Sequence, residues 1–470
     1  SSSSHFGSSF WESRLAVVTM RSFGSLGARS FDAIVIGGGV IGSSTAFHLA
    51  KLGAKVAVLD KASQVGMGAS GRSSGMTRLH YSVESNAVLA KRAMHFFHNF
   101  SDELKSTAAN SGYVQTGHMM VARDDKLGKA MQKTVEWLRD KLGCDTQMIS
   151  KGEASAMHPY VNLDDVDLVG WEPGSGFADP YLTCTSFAQA AKEHGAVFFG
   201  NCEVTGLLEE GGRVRGVETS THGVLEAGVT VSCLNIWTKK TLGGWLAQIG
   251  ANHINLPVSI EKHLLVALRV PGQPYMHPNA CSWSDLPASQ VAGGGMLPNV
   301  KDLIQDSKPY FRAYDGGSSI LIGDNHPNTV ESVPDDKADD GDWDESVSME
   351  QQMHCAELGV TRFVGFDEAE IFSDWSGCYD CSPDYNPILG KLPEIDGLRA
   401  AFGFSGHGFK LSPVIGAMLA GDALDESTTS VLGGLGLVDE KGEEVNIKTY
   451  SYDRFEQKRQ LTGSYRGAGA

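Results

Sequence analysis

Three glycines in the string IGGGVIG, Gly37, Gly39 and Gly42, have the spacing that lets a chain grip a pyrophosphate. Each meets a separate steric demand. The first turns the backbone tightly, the second lets it approach the phosphates, and the third lets the following helix pack closely on the preceding strand. A helix starting there would aim unpaired N–H groups and its positive dipole end at the phosphates. Asp60 follows at about 20 residues, the spacing at which a carboxylate reaches a ribose hydroxyl. The chemistry indicated is dinucleotide binding, with NAD and FAD both open. Cys378 and Cys381 form a CxxC, but no second pair or histidine cluster completes a zinc site. They read as ordinary thiols, and no metal is expected.

The elements around the glycines fit that chemistry. Phe31–Ile36 reads FDAIVI, a β-branched run suited to a strand buried on both faces of a parallel sheet. Ile41–Leu52 has apolar residues at helical spacing and ends at Gly53, and KVAVLD (Lys55–Asp60) is a second buried strand, so the segment is a βαβ unit. Leu89–Phe100 and Ser186–His194 read as amphipathic helices, the second leading through AVFFGNCEV to a strand ending near Val204. Arg213–Thr219 and Val224–Ser232 read as a hairpin and a return strand. From Leu256 to Gly323, strands broken by Pro and Gly suggest a separate sheet. The acidic run Asp335–Glu345 reads as a solvated surface loop.

Composition narrows the function classes. With 470 residues, two domains sharing a cleft are a better expectation than one core. The net charge of −17 repels phosphate backbones, which argues against nucleic acid as a partner. No run reaches the roughly 20 apolar residues of a membrane span, so a transmembrane protein is not expected. Eight scattered cysteines suit a reducing interior compartment rather than a disulfide scaffold. The first thirty residues carry Arg14, Arg21 and Arg29 among many serines with Glu12 as the single acid, the composition of an organellar transit segment. A start at Met20 would keep the Arg and Ser stretch free of acids. Mitochondrion is the expected location, cytoplasm the alternative.

The strings GASGRSSGMTRLHY (Gly68–Tyr81) and GFSGHGFKLSPVIGAMLAG (Gly403–Gly421) closely resemble the amine-oxidising flavoproteins, the family that contains sarcosine oxidase, dimethylglycine dehydrogenase, glycine oxidase and D-amino-acid oxidase. The likeness runs from Phe31 to about Phe455 and includes EPGSGFADP (Glu172–Pro180), YFRAYDGGSSILIG (Tyr310–Gly323) and DWSGCYDCSPDYNPILG (Asp374–Gly390). The sarcosine oxidase branch is nearest in appearance. The resemblance implies an α/β protein, α+β overall. A discontinuous Rossmann-type FAD-binding domain (31–115, 170–250 and 370–430) would accompany a substrate domain (116–169 and 251–369) on a mixed, largely antiparallel sheet. A leader (1–30) and a C-terminal extension (431–470) complete the chain.

By the same resemblance, FAD would lie along Lys61, Ser70, Arg72, Ser73, Ser74, Gly75 and Met76, with Arg78 near the ring. Val204 would touch the adenine side, and Ser232–Trp237 would form a cofactor loop, although Leu234, Asn235 and Ile236 stand where a small residue, glycine and proline are usual. Gly403, Phe404, Gly406, His407, Gly408, Phe409 and Lys410 would face the ring edge, where backbone N–H groups and a helix start can offset the negative charge of reduced flavin. Lys410 would anchor a substrate carboxylate. The branch's second basic anchor falls at Tyr81, a phenol that donates one hydrogen bond without charge, and Arg312 is a candidate replacement or a structural cation. Gly377 stands where several members bind flavin covalently through cysteine, so non-covalent FAD is expected. The oxygen-activating lysine of the branch falls at Leu321 and a nearby histidine at Asn325, one step before His326. A dehydrogenase that passes electrons to a protein or quinone is therefore expected. Its substrate would be a small amine or N-methyl amino acid, oxidised by hydride transfer to flavin N5. A 2-hydroxy-acid dehydrogenase and a flavin-binding assembly factor for a mitochondrial complex are the alternatives.

Overall fold

Strand β1 (Ser30–Ile36), helix α1 (Val40–Lys51) and strand β2 (Val56–Leu59) form the expected βαβ unit in the computed structural model, which describes residues 30–123, 125–271, 282–285, 307–325, 329–337, 343–434, 436–439 and 441–461. The expected leader up to residue 29, His326 and the middle of the acidic run (338–342) lie outside the described residues. The other elements that position the site are strands β3 (Gly223–Ser232), β4 (Ser259–Arg269), β5 (Tyr310–Tyr314), β6 (Ser319–Gly323), β7 (Glu370–Cys381) and β8 (Leu398–Phe402), and helix α2 (Gly408–Leu424).

The dinucleotide sheet has β1 at its centre. It pairs in parallel with β2 and β3, and β2 and β3 pair in parallel with Val197–Phe199 and β8. Alternate side chains of β1 serve two cores, as strand geometry requires. Ala33 and Val35 pack with Phe47, Phe187 and Val414 on the helix side, while Ile34 and Ile36 pack with Leu207, Val217 and Trp245 on the other. Arg213–Thr219 pairs antiparallel with β3, the hairpin the sequence suggested, and Val204–Glu210, which begins where the expected strand ends, adds a further antiparallel strand. The AVFFGNCEV segment is two strands rather than one. Val197–Phe199 stops, Asn201 takes a left-handed φ of 51°, and the backbone hydrogen-bonds to Asp60 and Ala62 beyond the end of β2 before Val204 opens the next strand.

Among the described residues the second sheet has nine strands and is mixed, mainly antiparallel. β4 pairs with β6, with Glu331–Val333, and with β7 from Ser259↔Cys381 to Arg269↔Glu370. β5 bridges β6 and Ser282–Asp285, which runs parallel to His118–Ala122, and Leu168–Glu172 and Gln147–Ile149 complete the sheet. The expected boundaries at 170 and 370 therefore cut across this ladder. Leu168–Glu172 and all of β7 hydrogen-bond within the second sheet, and β7 brings Gly377 against the Arg72 side chain from that side. Among the described residues no helix is long and apolar enough to cross a membrane.

Helix α2 closes the dinucleotide domain by packing on α1. Gly416 lies so close to Ser44 that an added Cβ would overlap it. His48 Nε2 donates to the Pro413 carbonyl at 3.0 Å, and burial holds His48 down to about 3, so the ring is neutral there. Gly416→Val should push the helices apart. Overpacking costs about 1–3 kcal/mol, and a lowered urea midpoint with an unchanged slope is the expected result.

Candidate cofactor and substrate site

The glycine string has the steric character its spacing predicts. Gly37 has φ 99°, and a Cβ there would stand 2.5 Å from the Cys233 carbonyl oxygen. At Gly42 a Cβ would overlap the Gly37 carbonyl, so α1 starts directly against the end of β1. Gly39 is different: a Cβ there meets only Ser70 Oγ, at 3.2 Å. Its open side is where a side chain would take a ligand's room. Val40 N, the first N–H of α1, donates to Ser70 Oγ at 3.0 Å, so the helix start and the Ser70 turn flank the same space. Asp60 accepts from Gly38 N (2.6 Å) and Ala62 N (2.8 Å), which fixes the glycine turn over the end of β2. These groups suit a pyrophosphate and its ribose.

The segment after Gly68 folds along this cleft. Ala69–Arg72 is a short 3-10 turn, Ser73 Oγ accepts from Gly75 N, and Gly75 has φ 72° against the Ala178 carbonyl. Met76 is buried and pairs with Phe177. Lys61 lies over the Trp237 ring at 4.4 Å, and Trp237 packs beside Gly68, bringing two expected cofactor residues together. Val204 opens its strand away from the cavity, paired with Thr219. Arg72 makes a bidentate pair with Glu345 (3.0 and 2.9 Å) over the Trp343 ring, and its carbonyl accepts from Trp375 Nε1. The end of the acidic run thus reaches the Arg72 segment while Glu345 stays half exposed, as expected of a surface loop.

Arg312 is part of the same support. Its Nε donates to the Ser74 carbonyl at 2.6 Å, its NH1 to the Ala313 carbonyl at 2.8 Å, and its guanidinium lies 4.5 Å from the Phe177 ring centre. Of the two roles open to Arg312, substrate anchor or structural cation, these contacts are those of a structural cation that holds the Ser74 segment. The reason is its place on β5: it faces the small ribbon of Met76–Thr77 and Gly176–Phe177.

The C-terminal motif meets these loops across a cavity. Gly403 (φ 70°) and Gly406 (φ 81°) need left-handed backbone, and a Cβ on Gly406 would stand 2.6 Å from the Tyr379 ring. Asp380 accepts from Gly403 N (2.6 Å), Phe404 N (3.1 Å) and Asn235 Nδ2 (2.8 Å). Asn235 itself has φ 50°. Asparagine is among the few L residues that tolerate this region, so it stands in for the glycine usual at that place. Ser70, Arg72 and Ser74 border the cavity on one side, Gly406, Gly408 and Phe409 on another. His263, Tyr379 and Tyr310 add a wall that sequence reasoning missed. His263 stacks on Tyr379 at 3.9 Å, and its Nε2 is 3.5 Å from Glu261 Oε2. His263 first, with burial opposing, holds the Glu261 carboxyl below its ordinary value. The available signal was the alternation of β4, which puts residues 261, 263 and 265 on one face.

Lys410 follows the cavity-lining Phe409 and donates to the Gly406 carbonyl at 3.3 Å. Burial, and then repulsion from Arg78, lowers its ammonium to about 7. Arg78 donates to the His80 carbonyl and lies 5.0 Å from the centre of the Tyr81 ring. Tyr81 is fully buried, 5.3 Å from the His407 ring, and its hydroxyl has no hydrogen-bond partner among the described residues. Glu172 is also fully buried, accepts from Leu79 N (2.8 Å) and Ser175 Oγ (2.7 Å), and is raised by burial while Arg78 pulls it down. Gly377 faces the Arg72 side chain, 3.0 Å from an added Cβ, whereas Cys378 packs among Ile236, Ile260, Val333 and Trp343. Leu321 is buried with Leu265 beside Tyr310 and Trp375, and Asn325 is exposed.

Residues 32–421 match the sequence pattern of the FAD dependent oxidoreductases (DAO). Mitochondrial sarcosine dehydrogenase of Homo sapiens is 27% identical over 400 residues, 83% of this chain but 39% of that protein. The chain thus spans about two fifths of the length of that relative. Glycine oxidase of Geobacillus kaustophilus (strain HTA426) is 26% identical over 405 residues, 85% of this chain and 94% of the other. Among solved structures, L-proline dehydrogenase from P. horikoshii superposes with a TM-score of 0.72 at 24% identity, covering 92% of this chain and 99% of that one, which speaks for the fold.

Gly39→Glu should abolish flavin binding, because a carboxylate would fill the open side of the turn and add like charge to the phosphates' place. Purification without yellow colour, from a protein whose circular dichroism is unchanged, is the expected outcome.

Proposed function

Because the chain belongs to the FAD dependent oxidoreductase (DAO) family, we propose that it oxidises a small amine or an N-methyl or other amino acid at the carbon next to nitrogen. The observation that carries this reading is the placement of Lys410 and Arg78. Two cations lie close enough to repel each other, Lys410 directly after the cavity-lining Phe409, and burial disfavours the ionisation of Glu172, the acid beside Arg78. A substrate carboxylate would restore the balance. The sarcosine dehydrogenase and glycine oxidase relatives support an amine as the rest of the molecule.

Bound FAD supplies the hydride acceptor at N5. The remaining tasks fall to this chain. Lys410 holds the carboxylate, and Tyr310 and Tyr379 confine the amine and exclude water. His263, steadied by Glu261, takes the ammonium proton so that the nitrogen lone pair is free when the hydride leaves. The imine product is hydrolysed by water, and no protein nucleophile is needed. FAD is held without a covalent bond, since Gly377 offers no thiol and Cys378, although it borders the cavity, packs its side chain among Ile236, Ile260, Val333 and Trp343. Electrons pass to a protein or quinone. The Arg- and Ser-rich leader and the mitochondrial relatives support a mitochondrial location. Anaerobic titration with amines, amino acids and hydroxy acids tests the reading. Bleaching of the flavin by hydroxy acids alone would favour the 2-hydroxy-acid alternative. No bleaching by any of them, with stable co-purification of a large complex, would favour the assembly factor.

Lys410→Met should keep FAD and raise the Kd of a carboxylate ligand at least tenfold, about 1.4 kcal/mol. The ammonium is charged below about 7 and neutral above it, so wild-type affinity for a carboxylate ligand without an amine should fall as pH rises through 7. The variant should bind weakly at every pH. Perturbation of the flavin spectrum measures both.

A second expectation concerns oxygen. The first electron passed to O2 makes superoxide, which a nearby cation stabilises and Leu321 does not. Reduced wild-type enzyme should reoxidise slowly in aerated buffer, and Leu321→Lys should speed it at least tenfold in stopped-flow mixing.

A further inference from the structure

The end of β7 carries a buried acid that the amine chemistry leaves without a task. Asp380 is 1% exposed and borders the cavity together with Asn235, Phe404 and Gly406. Its carboxylate accepts from Gly403 N, Phe404 N and Asn235 Nδ2, and its own carbonyl accepts from Ser405 N at 3.0 Å. These donors are neutral amides, and among the described residues no cation offsets the charge. Three cofactor-facing segments thus converge on one side chain: the end of β7, the turn after β3 in which Asn235 takes its left-handed φ, and the Gly403–Gly408 loop.

A flavin ring in this cavity meets, at one wall, a carboxylate solvated by amide dipoles alone. Water is excluded there, so the field of that charge is screened far less than at the surface. Reduction adds negative charge to the ring. An anion at the wall opposes it, while the N–H groups at Gly406 and the start of α2 favour it.

We propose that Asp380 is a charge-setting and positioning residue: it ties the Asn235 turn to the Gly403 loop, and its ionised carboxylate lowers the reduction potential of bound FAD. Burial lifts its carboxyl to about 7, with the Gly403 and Phe404 N–H groups pulling the other way, so the acid is mainly ionised at pH 8. The reduced cofactor then gives up electrons more readily to an acceptor than it would beside a neutral side chain. The inference rests on the FAD site and not on the identity of the substrate.

Asp380→Asn keeps the shape and removes the charge. Measured on the FAD-loaded protein at pH 8 by equilibration with a reference dye, the ratio of reduced to oxidised flavin should rise at least tenfold, which is about 30 mV for a two-electron couple. Sulfite, whose binding to flavin is read as lost visible absorbance and is favoured by the same absence of negative charge, should bind at least tenfold tighter. An acid that only braced the loops would change FAD affinity and leave both readings where they were. Retained FAD with unchanged potential and sulfite affinity overturns the proposal. If Asp380→Asn does not hold FAD, Asn235→Gly decides it. That variant keeps the left-handed backbone and removes one donor, so the acid holds its proton more tightly and the potential should rise in the same direction. An unchanged potential there overturns the proposal as well.

Discussion

Two backbone contacts that leave no room for a side chain set the geometry of the cofactor half. Gly42 rests on the Gly37 carbonyl, and Gly37 rests on the Cys233 carbonyl at the end of β3. The first sets how closely α1 approaches β1, and the second sets how closely the β3 turn approaches the glycine loop. Everything that faces the cofactor is measured from there. Ser70 reaches the first N–H of α1 because the helix begins hard against the strand, and Asn235 reaches Asp380 because its turn is held near Gly37.

The cavity also shows how the two sheets divide the work. The parallel sheet supplies backbone: glycine turns, helix starts and N–H groups that must come close to phosphates and ring. The antiparallel sheet supplies side chains, His263 and Tyr379 from paired strands and Tyr310 from β5. Arg312 joins the two by holding the Ser74 carbonyl from β5.

Much of the parallel half could be read from the chain because its rules are local. Gly37, Gly39, Gly42 and Asp60 announce themselves by spacing, and β1 and β2 by runs buried on both faces. The antiparallel half was legible as strands but not as a site. His263 and Tyr379 become neighbours through the β4–β7 register, a pairing between residues far apart in sequence that no local pattern encodes. Arg312 was ambiguous for the same reason, since an arginine on a strand can serve a substrate or a carbonyl, and only its partner across the fold decides. Asn235 looked like a departure from a glycine position, and its positive φ resolves the departure. The expected boundary at 370 falls at the start of β7, which pairs with the second sheet while Gly377 and Asp380 near its end border the cavity together with the glycine loops, a double role that no local pattern announces.

The contact between α1 and α2 bears on how the protein is made. His48 and Pro413 meet across a sequence separation of 365 residues. The helix that closes the cofactor domain is therefore synthesised long after the helix it covers. Until it arrives α1 lacks one of its two helical partners, although Phe47 can already pack on Phe187. Contacts so distant along the chain form late and slowly. During synthesis the second sheet can pair most of its strands before the first βαβ unit is sealed, and the glycine loop, although translated early, gains its full packing only once α2 has been made.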